Sequence, residues 1–155
     1  MEKQKLMTAV AQAFERKIAE MRKVVATSQE MTRDAIGRLE SRYDTSRVET
    51  GWLTTGLGAA LGELEYNYSL FKSNSTAPRT CVSNGACFEA VSIGGTTRIM
   101  CFVCQGGAGL ECEVDGKPLV VVSPDSPIAV AALGKTAGDV FTVNDRIDYQ
   151  VLSVA

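Results

Sequence analysis

The sequence predicts an α+β chain: an N-terminal antiparallel helical hairpin, then a small antiparallel-sheet domain carrying one short helix. Three observations carry that prediction. Apolar residues recur every seven positions through the first 39 residues and again from about Thr50 to Phe71. A polar, charged stretch, Arg38 to Arg47, separates the two runs. Beyond residue 80 the helical period gives way to short apolar runs punctuated by glycine and Asp-Gly turn signals.

The first run places Met7, Val10, Phe14, Met21, Val24, Met31 and Ala35 on one stripe, with Lys17 and Ser28 as polar interruptions. It predicts a helix from about residue 2 to 41, which spans roughly 55–60 Å at 1.5 Å per residue. The second run places Leu53, Leu57, Ala60, Leu64 and Phe71 on one stripe, flanked by Leu61 and Tyr68. It predicts a second helix starting near Thr45 or Ser46, either of which suits an N-cap, and ending by about Lys72. Gly51, Gly56, Gly58 and Gly62 weaken that helix by about 1 kcal/mol each relative to alanine. It therefore depends on packing against the first. Two such helices joined by a polar turn make a hairpin over 1–74 with its tip at about 38–47, a device for reaching.

Ser73 to Thr80 is a linker by composition, with 75–80 as its core, and 81–155 is the second domain. There Ala86–Ile93 and Arg98–Cys104 read as strands, and Gly106–Gly109 as a loop. Leu110–Val114 and Leu119–Val122 flank Asp115-Gly116, a strong hairpin signal. Ser126 suits an N-cap, Pro127 the first helical position and Gly134 the end of a short helix. Val140–Val143 and Ile147–Val154 read as a last strand pair around Asn144-Asp145-Arg146.

Composition excludes several function classes. Residues 1–50 carry ten Lys or Arg against eight Asp or Glu, and residues 51–155 carry six against ten. Neither half is a basic surface for direct, sequence-specific nucleic-acid binding. The chain has no histidine, which removes the commonest general base, the Ser-His and Cys-His pairs and every His-containing metal site. No apolar run is long enough to span a membrane, and no secretory signal is visible. Five cysteines without a regular framework then read as reduced thiols, and the expected location is cytoplasmic.

Three apparent motifs fail on context. Cys101-Phe102-Val103-Cys104 has CxxC spacing but no second ligand pair for zinc, and it lies in a strand rather than at a helix start. These cysteines read as core. Gly134-Lys135-Thr136 has Ala129 where a phosphate-binding loop needs its first glycine, and it follows a helix instead of preceding one. Gly56-Leu57-Gly58-Ala59-Ala60-Leu61-Gly62 is out of register with the dinucleotide fingerprint and has no strand before it.

The last third carries a resemblance. Ser123-Pro124-Asp125-Ser126-Pro127-Ile128-Ala129, then Leu133-Gly134-Lys135-Thr136-Ala137-Gly138-Asp139, then Tyr149-Gln150-Val151, resembles the C-terminal domain of bacterial Gre transcript-cleavage factors. That family shows a Ser-Pro-x-Ser-Pro element, a short helix ending in Gly-Lys, a Gly-Asp turn and a final strand, after an N-terminal hairpin. The resemblance implies an FKBP-like fold for 81–155. It implies RNA polymerase as partner, docked through Ser123, Pro124, Ser126 and Pro127, with the hairpin in the secondary channel. It further implies tip carboxylates that help hold a Mg2+ ion shared with the polymerase. The factor then has no cofactor or catalytic residue of its own and at most assists the polymerase's own cleavage. Magnesium takes oxygen ligands and keeps waters that a second molecule displaces.

At the tip, Asp44 matches the family's first aspartate, but the next acidic position holds Arg47, which opposes metal ligation electrostatically. Glu40 and Glu49 are the carboxylates near enough in sequence to compensate. Tyr43-Asp44-Thr45-Ser46-Arg47 looks closer to a divergent Gre-related branch with a Tyr-Glu-Thr-Gly-Arg-like tip, with Tyr43 and Arg47 as tip contacts. These departures favour regulation of elongation or initiation over robust cleavage. Two other readings stand beside it. An FKBP-like domain suggests prolyl isomerisation, although Phe88, Phe102, Phe141 and Tyr149 are spread over separate strands. Lys17 and Ser28 on the apolar stripe suggest an adaptor, or a weak homodimer, pairing through the hairpin.

Overall fold

In the computed structural model the described residues are 2–37 and 46–155, the side chains of 35–37, 46, 47 and 50 excepted. The elements run in the order α1 (Lys3–Gly37), α2 (Ser46–Lys72), β1 (Cys87–Ser92), β2 (Arg98–Val103), β3 (Glu111–Val114), β4 (Lys117–Val122), α3 (Pro127–Ala132), β5 (Val140–Val143) and β6 (Ile147–Val154). Each expected element is present. The chain divides into two units, Met1–Phe14 with Asn67–Ala155, and Glu15–Tyr66.

In the first unit, six strands form one sheet in the order β3-β4-β2-β1-β6-β5. The expected antiparallel sheet needs one correction, because β2 and β4 pair in parallel, Cys101 opposite Val120 and Val103 opposite Val122. The reason is a crossover. After β2 the chain skips a place, lays β3 at the edge and returns with β4 between them. Three strands alternating in direction make the first and third parallel once they become neighbours. The hairpin turns are those the sequence marked. Asp115 and Gly116 have φ of 50° and 76°, the left-handed pair that a two-residue turn requires.

Both faces of the sheet are covered. On one, Val82, Phe88, Ala90, Cys101, Val103, Ala129, Ala132, Phe141 and Val151 form a closed core beneath α3. Phe88 and Phe141 meet edge to face at 6.1 Å, and Tyr149 stacks on Phe141 at 5.6 Å. On the other, Phe102 meets Phe71 at 5.5 Å, and Phe71 and Tyr68 both meet Phe14, at 5.5 Å and 5.2 Å. The ends of α1 and α2 are thus part of the sheet's core. Gly106 and Gly107 permit this approach. A Cβ on Gly107 would collide with the Phe14 ring, and one on Gly106 with the backbone oxygen of Asn67.

The buried stripe of α1 is Leu6, Val10, Phe14, Ile18 and Ser28, with Met21, Val25 and Thr32 half-buried along the same line. Its mean step is close to the 3.6 of a straight α-helix. The seven-residue stripe read from sequence therefore drifts off the buried face, by about 20° per heptad. Val24 and Met31 are 49% and 61% exposed, Lys17 is exposed beside buried Ile18, and Ser28 is not an interruption but part of the seam. In α2, Leu57, Leu61, Leu64, Tyr68 and Phe71 turn inward as expected, whereas Leu53 and Ala60 are exposed and Thr54 takes the inward place.

In the second unit, α1 and α2 meet through a polar layer. The Ser28 and Thr54 hydroxyls are 2.6 Å apart, and Thr32 Oγ1 lies 3.1 Å from Thr54 Oγ1 while donating to the Ser28 carbonyl. Farther along, the Arg22 guanidinium pairs with Glu65 at 2.7 Å. A Cβ at Gly51, Gly56, Gly58 or Gly62 would meet nothing within 4 Å. These glycines do not serve close packing within the hairpin.

Candidate functional site

The sequence points to two places, the turn between the helices and the segment leading into α3. At the first, Glu40, Tyr43 and Asp44 lie outside the described residues, so their arrangement is not part of the structure. Arg47 falls in the first turn of α2, and Glu49, in the same turn, is exposed. The Glu49 carboxylate lies in the first turn of α2, at the positive end of the helix dipole. Among the described residues no three His, Cys, Asp or Glu side chains gather as a metal site. Glu49 by itself does not make a magnesium site, which takes several oxygen ligands.

At the second place the local chemistry is resolved. The Ser123 carbonyl accepts from the Ser126 amide at 3.0 Å, closing a turn with Pro124 at its second position, and Ser123 Oγ accepts from the Asp125 amide at 3.3 Å. Ser126, extended at φ −67° and ψ 146°, caps α3 by accepting from the Ala129 amide at 3.4 Å, and Pro127 follows at the start of the helix. All four residues therefore have work to do in shaping the backbone. Gly134 lies at φ +75° beyond the last turn, and its amide donates to the Val82 carbonyl at 2.8 Å.

The turn after α3 is bonded to the last strand. The Gly138 amide donates to Val151 O and the Val151 amide to Asp139 O, at 2.8 and 2.9 Å, and Gln150 Nε2 donates to Gly138 O at 3.2 Å. The Asp139 carboxylate accepts from the Thr136 amide at 2.8 Å and from its hydroxyl at 3.0 Å. The amide bond, then the hydroxyl, hold its pKa below the usual carboxylate value. Ser123–Ala129, Leu133–Asp139 and Tyr149–Val151 thus form one connected piece of the molecule.

Sequence reasoning missed what α3 presents. Ala129 and Ala132 are buried, whereas Val130 and Leu133 are 59% and 64% exposed beside exposed Pro127. The signal was available: Pro127, Val130 and Leu133 are spaced by three, one face of a helix whose opposite face is alanine. These side chains form an apolar ridge flanked by Asp125 and Lys135.

The rejected motifs remain without function. Burial raises the pKa of the Cys87 thiol and pushes that of Cys101 up to about 11, so both are neutral, unreactive core groups near pH 7. Cys104 Sγ accepts from Asn74 Nδ2 at 3.2 Å. The aromatic residues of the isomerase reading are divided, with Phe88, Phe141 and Tyr149 on one sheet face and Phe102 on the other. An open cleft of about 620 Å³ runs beside the start of α1, lined by Glu2, Lys5, Thr8, Thr76 and Glu113 among others. Its charges are mixed, and Glu2 and Lys5 pair across 3.0 Å. No helix among the described residues is long and apolar enough to cross a membrane.

No protein-family model matches the chain, and no curated protein does. Among solved structures, GreA factor homolog 1 (Gfh1) of Thermus thermophilus aligns at 17% identity and a TM-score of 0.37, covering 95% of each chain. A second structure, of the transcription factor Gfh1, aligns at 15% identity and a TM-score of 0.38, covering 94% of this chain and 93% of that one. Thermus aquaticus Gfh1 aligns at 13% and 0.37, covering 95% and 94%. Overlaps at this level do not place two chains in one family.

Proposed function

We propose that this chain is a Gre-related factor that binds RNA polymerase and regulates transcription through the polymerase's secondary channel. One observation carries the reading. Of the three sequence segments that resemble the Gre C-terminal domain, the second and third are hydrogen-bonded to each other, the first runs into the second through α3, and α3 presents an exposed apolar ridge, Pro127, Val130 and Leu133. The same ridge supplies what docking on another protein requires, an apolar centre with a polar rim. An N-terminal antiparallel hairpin, stabilised by few buried groups and joined to a well-packed sheet, supports the second half of the reading.

Regulation is favoured over stimulated cleavage. Asp44 is the single carboxylate that matches the family's tip, and Arg47 replaces the second. Any magnesium belongs to the polymerase, and the factor contributes no catalytic residue of its own. The test is an RNA-cleavage assay on a stalled polymerase complex, with wild type and Asp44→Ala. The expected outcome is slowed synthesis with little cleavage, equal in both proteins. Cleavage that disappears in Asp44→Ala would replace obstruction with metal assistance. Absence of binding to the purified enzyme would sink both.

A further inference from the structure

We infer that the outer face of α2 is a self-association surface, on which a second copy of this chain docks antiparallel. The face opposite the α1 seam carries Val48, Trp52, Thr55, Ala59, Gly62 and Tyr66, at steps of four and three. That is a second coiled-coil seam about 27 Å long. Every one of these positions is exposed, Trp52 at 73% and Tyr66 at 63%. From Thr50 to Gly62 α2 carries no charged residue, and the nearest charges, Glu49 and Glu63, sit at the rim. The outer face of α1 is the opposite, with Arg16, Glu20, Lys23, Glu30 and Arg33 all exposed. A solvated helix face looks like the latter, and an apolar stripe at heptad spacing looks like a buried one.

The shape of the stripe selects the partner. A two-fold axis passing level with Leu57 sets Trp52 opposite Gly62 of the other copy, Val48 opposite Tyr66 and Thr55 opposite Ala59. The largest side chain then enters a hole made by Gly58, Ala59 and Gly62, at the two glycines where a Cβ meets nothing within the chain. Such self-complementarity, large residue to small residue with each contact made twice, is what an isologous dimer needs. It also gives the exposed glycines a use that packing against α1 does not. The stripe is one helix wide, so the interface falls in the weak class below about 1,200 Å², and association depends on concentration.

Trp52 is the chain's single tryptophan and reports the contact directly. The test is sedimentation equilibrium with tryptophan fluorescence on the full chain alone, over a concentration series on the order of 10 μM to 1 mM. The expected result is a mass rising from one chain toward two, with the emission moving to shorter wavelength. Gly62→Leu, which has open space in the monomer and improves helix propensity, fills the hole and holds the mass at one chain. Trp52→Glu does the same by placing charge in the seam, and Lys23→Glu, on the charged face of α1, associates like wild type. Far-UV circular dichroism identifies any variant that loses its helices, and the remaining variant then decides. A wild type that stays at one chain mass throughout overturns the inference, as does association unchanged in the folded seam variants. Polymerase is absent from the experiment, so its outcome is independent of the polymerase reading.

Discussion

The sheet unit and the hairpin unit are built by the same sequence on different principles. In the sheet unit, Phe14, Phe71, Phe88 and Phe102 are almost wholly buried, and each touches another ring. Between Glu15 and Tyr66 the buried side chains among the described residues are Ile18 and Ser28. The first unit is held by burial worth about 25 cal/mol per Å². The second rests on a narrow seam, a hydroxyl layer and an exposed ion pair, Arg22–Glu65, of the kind worth at most about 1 kcal/mol. The difference is one of construction: the aromatic core holds the ends of the two helices, whereas their middle parts leave most of their described side chains exposed.

The contrast is broken most severely at Phe14. Phe14→Ala should cost about 4 kcal/mol, the range of buried aromatic truncations, whereas Val24→Ala, ten residues along the same helix, should stay within about 0.5 kcal/mol. Denaturant melts of the two variants read the difference directly, and equal losses would mean that the hairpin has a core after all.

Next in size is the hydroxyl layer. Ser28→Ala removes the shortest of the Thr54 hydroxyl's contacts and leaves it Thr32 Oγ1 and the Ser28 carbonyl, so it should cost about 1 kcal/mol, while the double change with Thr54→Val should recover part of it, because removing both partners of a hydrogen bond is nearly neutral. A double-mutant cycle with no coupling would show the layer to be incidental.

Gly56→Ala runs the other way. With open space at the added Cβ, it should stabilise α2 by up to about 1 kcal/mol, seen as slower amide exchange in the hairpin. A loss of protection would place the glycine in a contact.

The smallest effect belongs to Asp139 and pH. Its folded pKa is depressed, so its contribution is present above the unfolded value of about 3.9 and is lost as pH falls through the lower folded one. Asp139→Asn should therefore lower the neutral melt slightly, because the contribution is present there, and flatten the further loss of stability below about pH 4. An acid limb identical to wild type would remove the Thr136 bonds from the account.

Most of the fold was legible because each element carries its own signal. Ser126-Pro127 and Gly134 bracket α3, Asp115-Gly116 makes the turn between β3 and β4, and alternating apolar runs mark the strands. The β2–β4 pairing was not legible, since nothing local tells β4 to lie inside β3. The stripe on α1 was misplaced for a related reason: over a few turns a period of 3.5 and one of 3.6 choose many of the same residues, and they part at Lys17 against Ile18 and at Val24 against Val25 while both pass through Ser28. Ser28 looked like a defect because its partner, Thr54, lies on another helix. At the candidate site the Ser-Pro element was found through resemblance, and the structure adds what each residue does locally. Val130 and Leu133 went unnoticed because an apolar residue in a short helix ordinarily reads as core.

The proposed function depends on the α3 ridge docking on RNA polymerase. The direct measurement is retention of the purified chain on purified bacterial RNA polymerase, wild type against Leu133→Glu, a change at an exposed position that should leave the melt unaltered. The account predicts that wild type is retained and that Leu133→Glu binds at least about tenfold more weakly, as expected of a central apolar contact. Equal retention of the two proteins, or no retention of either, would contradict it.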